Sequence, residues 1–394
     1  MSDTHKDLYE KLGVSAGKEE VHAAIKNEDK GLYPLAFCKI LPDVWQGDPA
    51  YCSMMHADTA GTKTSLAYLY WRETGDYSVW EGIAQDALVM NLDDMACVGA
   101  VDRVLISSTI GRNKNLVDGK VIETLITSAR SFVERMADHG IELYLAGGET
   151  ADVGDIVRTI DVGYTTGTRM KRDQLIINNI EDGDVIVGLS SSGQSSYESS
   201  YNSGIGSNGL TGARHQILSS YHREKYPETC DPSLDHAIAY SGQHRITDSI
   251  DVAGKSHSIK SLLLSPTRTY LPFLKRLLSE HRGDTHGIIH NTGGALTKVM
   301  KFAPGKRIIK DNLLDRPAVF ELISQAGQMP AKEMYRVYNL GQRLEIYLSE
   351  DHAQSVIDIA RSYSIDAQII GRVEAAESSQ LIIRDRGAEH IYAA

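Results

Sequence analysis

Cysteine is scarce in this chain of 394 residues, and the four present, Cys38, Cys52, Cys97 and Cys230, stand far apart with no C-x-x-C pair. That spacing gives no sign of a zinc site or a disulfide framework, so the thiols are read as reduced. No window approaches the ~18 uninterrupted apolar residues that a membrane span requires. The opening MSDTHKDLYEKLGV has no basic stretch followed by an apolar run, so no secretory signal is expected and the protein is read as cytoplasmic. Positive charge is also short: 41 Lys+Arg face 52 Asp+Glu, for a net charge of −11. The overall basic face that drives nucleic-acid binding is missing, and neither nucleic acid nor a membrane is expected as a partner. A Walker A loop is absent too, because Gly61, Thr62 and Lys63 lack the adjacent Gly-Lys pair and the earlier glycine.

What remains is an ordinary globular mixture, 42% hydrophobic and 24% charged, in a chain long enough for two domains at ~150 residues each. Strand-like alternation and helical periodicity take turns, which indicates a mixed α/β (α+β) fold. YCSMMHAD at 51–58 reads as a strand entering AGTKT. Ile83, Ala87, Met90 and Val98 recur at helical spacing and make 79–98 a helix ended by Gly99. VDRVLISSTI then reads as a strand, VIETLITSARSFVERMADHG as a helix closed by Gly140, and IELYLAGG as a strand, with 157–168 closing the first half.

EDGDVIVGLSSSG opens the second half, so the boundary falls between Arg169 and Asp182, giving domains 1–175 and 176–394. The Ser- and Gly-dense segment 190–209 is expected to be a mobile loop. A helix (LPFLKRLLSEH), a Gly-Gly turn feeding another helix (HNTGGALTKVMKF), a strand (RLEIYLSE) and two paired strands in AQIIGRVEAAESSQLIIR follow. Gly204, Gly206 and Gly209 formally match the dinucleotide pattern G-x-G-x-x-G, but the strand VIVGL ends well before them. The pattern counts only at the tip of a strand, so it is discounted.

Three carboxylates stand out by position. Asp58 ends an apolar strand and precedes Gly61, Thr62 and Lys63; such a loop suits a polyphosphate with Mg²⁺, or is an ordinary polar turn. Asp94 shares the helical row of Ile83, Ala87, Met90 and Val98. A carboxylate there must be paired, protonated or metal-bound, since desolvating a lone charge costs several kcal/mol. Asp93 falls on another face beside Asp86, where solvation is the expectation. Glu149 and Thr150 follow Gly147 and Gly148 at the carboxyl end of a strand, where α/β proteins collect site residues. Asp58, Asp94 and Glu149 are therefore expected at one edge of the first domain, and hard oxygen donors favour Mg²⁺. In the second half, His290 precedes Thr292, Gly293 and Gly294; it is read either as a proton donor or acceptor at an anion site, or as a surface residue. Arg268 is a phosphate fork or a surface ion-pair partner.

Taken in order, these segments resemble the phosphoribosylformylglycinamidine cyclo-ligase (aminoimidazole ribonucleotide synthetase) family. ADTAGTK at 57–63 is similar to T-D-G-V-G-T-K, MNLDDMACVGA to M-x-V-N-D-x-x-x-x-G-A, and AGGETADVG at 146–154 to G-G-E-T-A-E-M-P. HNTGG resembles H-x-T-G-G, SPTRTY resembles A-P-T-R-x-Y, EMYRVYNLG at 333–341 matches E-M-Y-R-x-F-N-x-G, and LYEKLGVSAG resembles Y-x-x-A-G-V-x-x-x-x-G. The resemblance implies that the γ-phosphoryl of ATP activates the amide oxygen of formylglycinamidine ribonucleotide, after which the amidine nitrogen closes the imidazole. It implies Mg²⁺ and the triphosphate at Asp58, Asp94 and Glu149, with Gly61, Thr62, Lys63, Gly147, Gly148 and Thr150 around the nucleotide. It places Arg268, Thr292, Gly293, Gly294, Ser207 and Asn208 toward the ribonucleotide, gives His290 and Asp94 catalytic roles, and implies a homodimer built on the strands of the first domain.

The chain also departs from the family. The early G-G-F-G-A is GLYPLAF at 31–37, P-H-S-N-G is Ile205-Gly206-Ser207-Asn208-Gly209, and N-x-G-x-G is Asn339-Leu340-Gly341-Gln342-Arg343. Alternatives are another ATP-using enzyme of the superfamily and a nucleotide-binding paralogue without turnover. A hydrogenase-maturation relative would end in cysteine and a selenophosphate relative would carry an early nucleophilic Cys, whereas this chain ends Tyr392-Ala393-Ala394 and its first cysteine is Cys38.

Overall fold

The computed structural model describes residues 8–14, 19–252, 254–327 and 329–393. Residues 15–17 of the LYEKLGVSAG segment lie outside them. The first sheet is built from β1 (Leu41–Pro42), β2 (Tyr51–Thr59), β3 (Val104–Arg112), β4 (Leu143–Asp152) and β5 (Ile160–Lys171) in the order β1-β2-β5-β3-β4. Only β3 and β4 run parallel, joined by the helix Gly119–Ala137; the other pairs are antiparallel. Alternation along β2 sends Met54 inward and leaves Met55 63% exposed, the pattern of a sheet with one face covered.

The strands of the second half are, in chain order, β6 (Val185–Ser190), the separate pair β7 (Ser249–Val252) and β8 (Lys255–Ser258), then β9 (Thr285–His290), β10 (Lys306–Lys310), β11 (Gln342–Leu348), β12 (Ala367–Ala375), β13 (Gln380–Asp385) and β14 (Ala388–Ala393). Its seven strands are ordered β14-β13-β10-β12-β6-β11-β9. Every residue of β6 and β11 is buried, as expected for central strands covered on both faces. β12 and β13 are not paired with each other as expected from sequence. β10 lies between them, antiparallel to β12 and parallel to β13, because a strand from earlier in the chain takes the place that a hairpin partner would fill.

The helix Val79–Ala96 joins the two halves. It packs against β2, β5 and the helix Gly119–Ala137 on the side of the first sheet, and its polar groups bond to the segment 265–270 and to β9 of the second half. The periodicity had marked one apolar face, but from Asp86 onward the helix is enclosed all round: Asp86, Asn91 and Asp93 are fully buried. The expected solvated face of Asp86 and Asp93 is thus corrected. Asp86 Oδ1 accepts from Lys63 Nζ at 2.8 Å and from the Thr267 amide and hydroxyl at 2.7 and 2.6 Å. Asp93 accepts from the Thr269 hydroxyl at 2.7 Å and the Tyr270 amide at 2.8 Å.

The Ser-rich segment 190–209 is also not the free loop expected. Arg268 donates to the carbonyls of Ser190 and Ser192, both at 2.9 Å, Asn202 Nδ2 donates to Pro266 O at 2.7 Å, and the Tyr197 hydroxyl donates to Thr269 O at 2.7 Å. These bonds satisfy backbone groups that would otherwise be buried without partners.

Lys63 and Asp86 have no exposed side-chain area, so removing one leaves the other as a buried charge. Lys63→Met should lower unfolding free energy by about 3–5 kcal/mol, and Lys63→Met/Asp86→Leu should recover part of that loss. Urea denaturation reads both; a single variant with the wild-type midpoint would show that the pair does not clamp the domains.

Candidate functional site

The seam between the domains gathers polar side chains from four elements. Asp94, near the end of the central helix, accepts from His290 Nδ1 at 2.7 Å, while His56 Nε2 lies 3.5 Å from its other oxygen. His56 Nδ1 is 3.2 Å from Asn91 Oδ1, and Asn91 Nδ2 donates to Asp58 O at 3.2 Å. A β2 strand alternating Met54, His56, Asp58 toward the helix brings this set together. Lys298, on the 3-10 helix Ala295–Lys301, donates to the Thr292 hydroxyl, and its ammonium stands 4.7 Å from the Phe37 ring centroid.

The electrostatics assign the protons. Burial works against the charge of Asp94, but Lys298, His290 and His56 outweigh it and hold the carboxyl below its usual range. Burial pushes His290 down to about 4, although Asp94 opposes the shift. His290 is therefore neutral near pH 7. Facing an ionised carboxylate, its Nδ1 carries the hydrogen and its Nε2 the lone pair. That Nε2 is buried with no protein partner. Burial also pushes Asp93 up to about 7 and lowers Lys298, with Asp94 opposing. The seam thus holds an oriented acceptor nitrogen beside a half-buried ammonium, an arrangement suited to accepting a proton next to an anionic ligand.

Several expected site residues meet here and several do not. Asp94 and His290 are in contact, so the open choices resolve to a buried pair, with His290 fully buried instead of at the surface. Thr292 joins through Lys298, and Asn208 reaches the glycine turn, its Nδ2 lying 4.0 Å from where a Cβ on Gly293 would stand. Gly294 has φ +86 and starts a 3-10 helix instead of the expected α-helix. Ser207 pairs with the Thr267 hydroxyl at 3.2 Å and Thr62 with that of Thr211 at 2.9 Å. Gly61, at φ +58, sits in the turn after β2, where its amide meets the Thr59 hydroxyl at 3.1 Å.

Lys63 and Arg268 are not free for phosphate. Lys63 is spent on Asp86 and the Ser265 carbonyl, and Arg268, only 1% exposed, makes a fork with Glu198 at 3.0 and 2.6 Å. Both are internal cations whose buried partners would be left unpaired without them.

Nor do Asp58, Asp94 and Glu149 form one cation site within a chain. Register carries Asp58 across β5 and β3 to Gly148, one residue from Glu149. Three strand spacings of ~4.8 Å put the two backbones about 14 Å apart, Glu149 faces the opposite side of the sheet from Gly148, and both Asp94 oxygens face imidazoles. The trio does not fit a single Mg²⁺. Among the described residues, His281, Asp284 and His352 are a group whose ligand atoms lie within 4.8 Å of one another. Gly147 and Gly148 serve the sheet: Gly147 has φ +92, and a Cβ on Gly148 would fall 2.1 Å from the Ser108 hydroxyl. Thr150 continues the same edge strand, opposite Ile110.

Sequence reasoning missed His56, Asn91, Lys298 and Arg343. His56 was findable, because it shares the inward face of β2 with Asp58. Lys298 gave no local signal, and Arg343 showed only as a departure from N-x-G-x-G.

Compared with known proteins, residues 40–168 match the family described as AIR synthase related protein, N-terminal domain, and residues 181–384 match its C-terminal domain. The phosphoribosylformylglycinamidine cyclo-ligase of Methanocaldococcus jannaschii is 27% identical over 324 residues, 82% of this chain and 78% of that protein. That of Pyrococcus furiosus is 27% identical over 344 residues, 86% and 84% respectively. Among solved structures, hydrogenase maturation protein HypE aligns with TM-score 0.53 at 17% identity, over 78% of this chain and 81% of that one. T. maritima PurL complexed with FGAR aligns with TM-score 0.51 at 14% identity, over 98% of this chain and 54% of that one, so the chain spans about half its length. These two likenesses show the fold.

The His290 environment predicts a pH effect. The unfolded chain binds a proton at His290 from about pH 6.5 downward, whereas the folded chain resists until about 4. This stabilising contribution is therefore present above pH 6.5 and is lost as pH falls toward 4. Urea midpoints measured from pH 7 to 4 should fall less steeply for His290→Gln than for the wild type; equal slopes would remove His290 as the cause.

Proposed function

Since the chain belongs to the AIR synthase related family through both of its domains, we propose that it is an ATP-dependent cyclo-ligase that closes formylglycinamidine ribonucleotide to aminoimidazole ribonucleotide. The observation that carries the reading is the buried His290–Asp94 pair at the seam, 2.7 Å apart with His290 Nε2 unpartnered. The γ-phosphoryl of ATP passes to the amide oxygen, releasing ADP. The amidine nitrogen attacks the activated carbon, the C–O bond to phosphate breaks, and the nitrogen loses a proton. His290 Nε2 accepts that proton, while Asp94 holds the ring and stabilises the imidazolium. Lys298 and Thr292 hold the phosphorylated group, with Gly293, Gly294, Ser207 and Asn208 lining the ribonucleotide side. Phosphoryl transfer depends on such positioning and charge neutralisation more than on covalent help from the protein.

The nucleotide falls to the first domain, 1–175, at the turn carrying Asp58, Gly61 and Thr62, and the ribonucleotide to 176–394. A second copy of the chain covers the open face of the first sheet. Met55, Gly167, Leu105 and Tyr144 form one row across β2, β5, β3 and β4, and Met55, Leu105 and Tyr144 are 63%, 49% and 49% exposed, with Trp45 also exposed beside them. A continuous apolar row of this kind is a homodimer surface. No described helix is long and apolar enough to cross a membrane.

Incubation of the protein with ATP, Mg²⁺ and formylglycinamidine ribonucleotide should yield the aminoimidazole, and Asp94→Asn should lower kcat/KM by about 10- to 100-fold, the scale of a lost charged hydrogen-bond partner. Nucleotide binding without product would instead identify a paralogue that has lost turnover. Light scattering should give a dimer for the wild type and a monomer for Leu105→Glu; a monomeric wild type would reject the dimer.

A further inference from the structure

Arg343 is among the most deeply buried cations of the described residues, 1% exposed. It sits on β11 where the pairing with β6 slips between Gln342 and Leu344, a bulge of the kind that re-aims a side chain. Its Nε and Nη2 have no hydrogen-bond partner. The acids nearest in charge, Asp93, Asp86 and Asp94, lower none of this deficit by contact: no salt bridge to Arg343 is made within 4 Å among the described residues. Guanidinium donors left buried and unpaired forfeit their hydration without return, so the fold holds them in place for something other than an internal partner.

The same guanidinium explains a glycine. A Cβ on Gly206 would stand 1.9 Å from Arg343 Nη1, so any side chain at 206 would begin inside the guanidinium. In the motif P-H-S-N-G this position is histidine, and in N-x-G-x-G position 343 is glycine; here they are Gly206 and Arg343. The two departures, far apart in sequence, are one exchange in space. Other unpartnered polar atoms belong to the elements around it: Asn208 Oδ1 two residues from Gly206, and His290 Nε2 and Asn291 Oδ1 on the strand end paired with β11, the Asn291 amide donating to the Arg343 carbonyl at 2.7 Å.

We propose that Arg343 binds a phosphate oxyanion of the ligand at the domain seam, from the space that a side chain at position 206 would otherwise occupy. The inference rests on the reading that the seam receives phosphorylated ligands. Two oxygens of one phosphate suit the planar fork, and the neighbouring Asn208 and His290 accept hydrogens from the rest of the ligand. The phosphate belongs either to the nucleotide or to the ribonucleotide.

Isothermal titration separates these sources with ATP alone and formylglycinamidine ribonucleotide alone, and inorganic phosphate serves as a probe that requires no reaction. Arg343→Met should weaken one of the two phosphorylated ligands by about 10- to 100-fold, and the weakened one identifies the source. Gly206→His alone should lose the same binding, and Gly206→His/Arg343→Gly should regain it relative to Arg343→Gly. Wild-type affinity for all three probes in Arg343→Met, with only a lowered melting temperature, would overturn the proposal and leave Arg343 as a counter-charge to the acidic helix. Should Arg343→Met not fold, Arg343→Gln and the exchanged pair are titrated in the same way, with unchanged affinities again overturning it. Phosphate binding through Arg343 without product would reject the cyclo-ligase reading alone, whereas product formation with wild-type affinity in Arg343→Met would reject this inference alone.

Discussion

The structure depends on enclosing a polar helix. Val79–Ala96 carries Asp86, Asn91, Asp93 and Asp94 into a space closed on every side, and each such group must find a partner or forfeit several kcal/mol. The first half supplies His56 from β2 and Lys63 from the helix that follows it, and the second half supplies Thr267, Thr269, Tyr270 and His290. The domains are therefore joined by polar satisfaction as much as by apolar burial. Because the partners are directional, the joint has one register.

That same requirement shapes the chemistry. An acidic chain of net charge −11 places Lys63, Lys298 and Arg343 inside its seam, where low dielectric makes each charge felt strongly. Lys63 is consumed by Asp86, Lys298 lies beside the His290–Asp94 pair, and Arg343 keeps free donors. The surface charge thus says little about the site, because the groups that matter are those that burial removes from the solvent.

Much of the architecture was legible. Helical spacing through Ile83, Ala87 and Met90 located the central helix and put Asp94 on an inward face, and strand alternation located β2. The same helical wheel misread Asp86 and Asp93, because an amphipathic pattern presumes a wet side and this helix has none from Asp86 onward. Lys63 and Arg268 looked like phosphate ligands by their motifs, but burial made them structural cations. The Ser-rich segment looked mobile because composition reports backbone permissiveness and not the Arg268 fork that ties it down.

By itself the sequence determined most of the elements, the two-domain α/β class, the family and the inward placement of Asp94, since all of these follow from local periodicity and ordered motifs. Only the tertiary structure decided what Asp94 touches, that Asp58 and Glu149 stand three strands apart, and that Gly206 and Arg343 share one space. The Asp94–His290 contact joins residues 196 positions apart. Periods of two and 3.6 residues fix which way a side chain points within its own element, and they carry no information about which distant element will lie opposite.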